Sequence, residues 1–117
     1  MFKQNDLANL KNIIWAIEKI EKSLNNISSL DELISNEEKY DSIIVKLMNI
    51  GESADNISSE LKEKHLNVDW KGMYKIRDII DHSYHSIDEN IVWDIIKNEL
   101  GNDKIQVNAI ISLIEKL

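Results

Sequence analysis

A chain of 117 residues, 43% hydrophobic and 30% charged, has material for one packed domain and too little for two comfortable ones. No apolar run approaches the roughly 18 residues that cross a bilayer. The absence of cysteine excludes disulfide scaffolds, cysteine zinc centres, iron–sulfur clusters and thiol nucleophiles. The formal charge of −7 argues against coating nucleic acid through a broad basic face but leaves room for a small local site. With no proline and glycine only at Gly51, Gly72 and Gly101, there is no material for glycine-rich phosphate loops or serial hairpins. The expectation is a single domain over 1–117, in the cytoplasm, without a charged-then-apolar leader.

Isoleucine occurs 21 times, a β-branched load that by propensity alone suggests strands, so periodicity must arbitrate. Leu7, Leu10, Ile13, Ile14, Ile17, Ile20 and Leu24 step by threes and fours, the spacing of one helical stripe. Ser28 or Ser29 can cap a short helix through Ser35, with Asp31 and Glu32 near its positive end. Tyr40, Ile43, Ile44, Leu47, Ile50, Ala54, Ile57 and Leu61 predict a second long helix ending near His65. Asp69 is a good N-cap for a helix starting at Trp70 and carrying Met73, Ile76, Ile80 and Ile87 on one side. A further segment from about Asp88 to Leu100 begins with two acids and stops before Gly101, and a last helix runs from about Asp103 to Leu117. Short loops between amphipathic helices predict an all-α, up-and-down bundle of four main helices plus a short accessory one.

Of the 14 basic residues all but Arg77 are lysine. Lysine serves equally well for solubility or a surface ion pair, whereas guanidinium offers a planar, permanently charged fork. Arg77 therefore reads either as a bidentate partner of Asp81 or of a carboxylate on a neighbouring helix, or as a clamp for an oxyanion or phosphate. The segment from Arg77 to His85 reads RDIIDHSYH. Histidine moves protons at neutral pH, and arginine can stabilise the negative charge of a pentavalent phosphorus intermediate. Together they suggest metal-independent RNA cleavage, with His82 acting on the 2′-hydroxyl or the leaving oxygen and Arg77 neutralising the phosphate. Asp78, one turn before His82, could hold the imidazole in one tautomer or simply be a water-exposed acid. On a straight helix Arg77 and His82 project about 140° apart, whereas Arg77, Asp81 and Tyr84 share a side. Either the helix distorts after Asp81 or a second subunit completes the site.

A metal site built on His82 and His85 with Asp81 or Glu52 lacks both cysteines and HExxH spacing, and none is expected. Trp15, Trp70 and Trp93 could stack on bases, but flanking helical stripes they read as packing residues.

The segment from Leu47 to Leu100 resembles the HepT-like proteins of the HEPN superfamily. An RxxxxHxY motif is intact as Arg77, His82 and Tyr84, preceded by an IGE triplet at Ile50 to Glu52 and the Asp69–Trp70 helix start, and followed by an IVWDI segment around Trp93. The chain departs from many relatives at Asp78 and Ser83, where they carry asparagine and glycine. The resemblance implies the toxin of a type VII-like toxin–antitoxin pair: an endoribonuclease, with structured RNA such as tRNA as substrate, acting without metal or cofactor. Its site would be shared across a homodimer or higher oligomer, with Arg77 and His82 catalytic. An MntA-like minimal nucleotidyltransferase antitoxin would transfer AMP to Tyr84, obstructing the cleft with bulk and negative charge. From Val68 to Asp94 the positive residues Lys71, Lys75 and Arg77 face six acids, so RNA affinity should be modest or draw on Lys62 and Lys64. The alternative reading is a non-catalytic helical adaptor that binds a nucleotidyltransferase partner through its acidic surface.

Overall fold

The computed structural model describes residues 4–81 and 87–116, and every regular element among them is helical. The long helices are α1 (Gln4–Ser23), α3 (Glu37–Asp55), α5 (Trp70–Asp81) and α7 (Leu100–Glu115). The short ones are α2 (Leu30–Ser35), α4 (Ser59–Lys64) and α6 (Glu89–Asp94), with a π-helical turn over Ile95–Glu99 between α6 and α7. The expected all-α bundle is thus observed. None of the described helices is long and apolar enough to cross a membrane.

Isoleucine-rich stripes zip these helices around one core. Leu10, Ile13, Ile17 and Ile20 of α1 are fully buried with Ile43, Leu47 and Ile50 of α3, and Met73, Ile76 and Ile80 of α5 close over them. Each such side chain contributes about 1.5–3 kcal/mol when removed from water, which outweighs the small helical penalty of β-branching. Among the long helices α3 packs against both α1 and α5, and α1 also packs against α7. The order across the molecule is α5–α3–α1–α7, with α5 on the outer flank of α3. The helices form a slab of 45 × 29 × 20 Å.

Local signals end the first two helices. Asn26 takes a left-handed conformation (φ 72°) just after α1, which asparagine tolerates better than most residues. Ser29 accepts from Glu32 N–H to cap α2, and Asn36 accepts from Lys39 N–H to cap α3.

The helix expected to run on to about His65 instead stops at Asp55 and restarts as α4. Asp6, fully buried on α1, accepts from Ser58 N–H at 2.9 Å and from its hydroxyl at 2.6 Å. Ser58 Oγ in turn accepts from Leu61 N–H and caps α4. This hydrogen-bonded carboxylate pulls the chain out of the helix between Asn56 and Ser58, against a periodicity that continues through Ile57 and Leu61.

The second correction is at Gly101, which ends no helix. α6, the π turn and α7 run on continuously from Glu89 to Glu115. The buried residues Val92, Ile96 and Leu100 are spaced by two successive steps of four, which drift by about 40° each on an ideal α-helix. Ile95 is buried with them, so the segment keeps an apolar face at helical spacing through the π turn and into α7.

Candidate functional site

Arg77 sits where α5 crosses α3, and Gly51 sets how closely the two helices approach. A Cβ added at Gly51 would lie 2.9 Å from both Arg77 Cβ and Arg77 N, and 3.2 Å from the Met73 carbonyl oxygen. These are largely backbone atoms of α5, which cannot swing aside. The IGE triplet thus has a physical reason: the missing side chain at Gly51 lets the backbone bearing Arg77 lie against α3. The start of α5 is fixed as well, because Asp69 Oδ1 accepts from Gly72 N–H at 2.9 Å and the Trp70 indole N–H donates to the His65 carbonyl at 2.9 Å.

The guanidinium is partly exposed and flanked by carboxylates from two helices. Arg77 Nη1 lies 3.8 Å from Asp55 Oδ2 on α3, and Arg77 Nε lies 4.0 Å from Asp81 Oδ2 one turn further along α5. Both expected structural partners, Asp81 and a carboxylate of a neighbouring helix, are present. Neither distance reaches the 2.7–2.9 Å of a charge-assisted hydrogen bond, so this is not the bidentate clasp that would consume the fork. Exposed pairs of this kind stabilise a fold by about 1 kcal/mol or less. Asp55 and Asp81 also occupy the last turns of α3 and α5, neither of which carries a basic residue. Negative charge there opposes the helix dipole, so helix stability does not explain these acids.

A second basic group, Lys62 of α4, has its ammonium 5.9 Å from the centre of the Tyr74 ring. Tyr74 precedes Arg77 by three residues and shares its side of α5. Of the two lysines singled out from the sequence, Lys62 therefore lies against a residue one turn from the arginine. Asp78 is exposed on α5. His82 and Tyr84, expected as the catalytic and modified residues, lie outside the described residues, as do Ser83 and His85. Among the described residues no group of three or more histidine or acidic side chains could hold a metal ion. A surface pocket lined by Ser23, Asn36, Glu38, Lys39 and Ser42 lies toward the opposite end of α3 from Arg77.

The profile of the "Ribonuclease HepT-like" family matches residues 13–111, a span that includes both helices of the crossing and the whole RxxxxHxY motif. The chain belongs to the HepT-like family. A protein of Methanocaldococcus jannaschii named as a candidate RNase, MJ0127, is 32% identical over 97% of this chain and 88% of its own length. A Thermococcus cleftensis protein named as a probable ribonuclease HepT is 31% identical over 81% of the chain and 86% of its own length. A third, the candidate RNase MJ1380 of M. jannaschii, is 34% identical over 68% of the chain and 73% of its own length. No solved structure matches at the same stringency.

In this HepT-like chain the residue that sequence reasoning missed is Asp55. It follows Gly51 by four residues and so lies on the same side of α3, one turn beyond the close approach. That spacing becomes meaningful only once Gly51 is known to lie against Arg77.

Proposed function

We propose that this HepT-like protein is a metal-independent endoribonuclease and the toxin of a toxin–antitoxin pair. Family membership over 13–111 supports the class, and the observation that carries the chemistry is the lone arginine. It is partly exposed at the α3–α5 crossing, five residues before His82, with neither ion pair short enough to engage its fork.

In this reading His82 takes the proton of the 2′-hydroxyl, and the freed oxygen attacks the adjacent phosphorus. Negative charge builds on the phosphoryl oxygens, where the guanidinium of Arg77 neutralises it. The 5′ oxygen leaves with the proton returned by the imidazolium of His82, giving a cyclic 2′,3′-phosphate and a 5′-hydroxyl. Arg77 and His82 diverge by about 140° on a straight helix, and the homodimer that the family resemblance implies would answer that divergence by letting the motifs of two subunits supply the two groups to one cleft. Asp78 steadies the imidazole of His82 as a positioning residue.

Purified wild type is expected to cleave structured RNA such as tRNA, and His82→Ala to leave it intact. Equal amounts of Arg77→Ala and His82→Ala chains, each inactive alone, should regain part of the activity on mixing when a cleft is shared. Intact RNA with the wild type would defeat the nuclease reading. An unchanged cellular phenotype and unchanged partner binding in Arg77→Lys would favour the adaptor.

Regulation belongs to Tyr84. Its hydroxyl would attack the α-phosphorus of ATP on an MntA-like nucleotidyltransferase, releasing pyrophosphate and leaving AMP two residues from His82. The mass of the intact chain should rise by whole AMP units with ATP and active partner, and Tyr84→Phe should abolish the rise.

A further inference from the structure

We propose that Asp55 is a resident like-charge neighbour of the RNA site: its carboxylate stands beside the guanidinium of Arg77 without engaging the fork and opposes an incoming RNA phosphate, so that it lowers the affinity of the site. The inference deepens the reading above and rests on Arg77 as the phosphate-binding residue. Three observations carry it. Asp55 Oδ2 lies 3.8 Å from Arg77 Nη1, so an anion that reaches this end of the fork comes within a few ångströms of a like charge. The carboxylate is half-exposed, 51% for the side chain, and can swing into water without disturbing the core. It stands in the last turn of α3, a position unfavourable for an acid on helical grounds, and Gly51 one turn earlier permits the close approach of α3 and α5 that brings the pair together.

Asp55 acts through Arg77 and touches no reacting atom, so it is a positioning residue whose effect should appear in substrate affinity. Like charges at this separation near a protein surface change binding by about fivefold, and added salt should shrink the effect. Aspartate at position 55 would then limit how tightly the arginine holds nucleic acid of any sequence.

The experiment is a double-mutant cycle on the full chain, read as the dissociation constant for a fluorescein-labelled tRNA stem-loop. The stem-loop is 2′-O-methylated, so it lacks the attacking hydroxyl and is not consumed. Asp55→Asn is expected to tighten binding about fivefold at low salt, and to do so far less in an Arg77→Ala background. Glu38→Gln, on the first turn of the same helix some 25 Å away, removes the same net charge and should change binding little. On cleavable RNA the gain of Asp55→Asn should appear in KM rather than kcat, which an altered fold would not produce. Equal effects of Asp55→Asn and Glu38→Gln, or of Asp55→Asn with and without Arg77, would overturn the Asp55 inference while leaving the nuclease reading intact. RNA binding unaffected by Arg77→Ala would overturn both.

Discussion

Lysine at position 77 would keep the charge and lose the fork. Arg77→Lys is therefore expected to fold normally, because the ion pairs it weakens are long and exposed. Its rate of RNA cleavage should nonetheless fall by about 100-fold, since a point charge cannot span two phosphoryl oxygens. Single-turnover cleavage alongside a thermal melt checks both halves. Arg77 was legible from composition, because one arginine among so many lysines needs a reason, and its expected carboxylate partners were legible in kind. Asp55 was not. A single acid near the end of an acidic helix carries no signal until the crossing of two helices gives it a neighbour.

Helix positions were largely readable because a stripe at 3.6-residue spacing has few other uses, and helix starts were readable where a local cap decided them, as at Ser29 and Asp69. The break after Asp55 was hidden because its cause, Asp6, lies 52 residues from Ser58 in sequence. The continuity through Gly101 was hidden because glycine is the usual residue just past a helix end, whereas here it lies inside one. Gly51 and Gly101 now make opposite expectations of one substitution. Alanine improves helix propensity by about 1 kcal/mol at either place. At Gly101 nothing lies within 4 Å of the new Cβ, so Gly101→Ala should raise stability by roughly 0.5–1 kcal/mol. At Gly51 the new methyl meets the backbone of α5 at 2.9 Å. Overpacking of that kind costs about 1–3 kcal/mol, so Gly51→Ala should lower the unfolding midpoint and, by displacing Arg77, depress RNA cleavage beyond what instability explains. Denaturant titrations of the two variants test the contrast.

The whole molecule carries its acidity unevenly, and one acid is placed where it opposes folding. Asp103, buried at the start of α7, has its carboxyl pushed up to about 7, first by burial and then by the charges of Asp69 and Glu99. Unfolding returns it to the ordinary value near 3.8, so between about pH 4 and pH 7 the folded chain holds a proton that the unfolded chain has released. Stability should accordingly fall as pH rises through that window. Asp103→Asn, measured by thermal unfolding at pH 5 and pH 8, should stabilise the protein more at the higher pH; an equal change at both would remove Asp103 as the cause.

At the same scale, the close approach at Gly51 bears on how this gene would lose its toxicity. If the proposed nuclease reading holds, selection for cells that survive its expression is expected to recover lesions at Arg77 and His82, the residues proposed to carry the chemistry. Codon 51 should join them although its residue has no side chain to react: with the core and the motif both intact, any larger residue there moves the backbone on which the arginine is hung. The target for inactivation is therefore wider than the motif, and it includes a hydrogen atom.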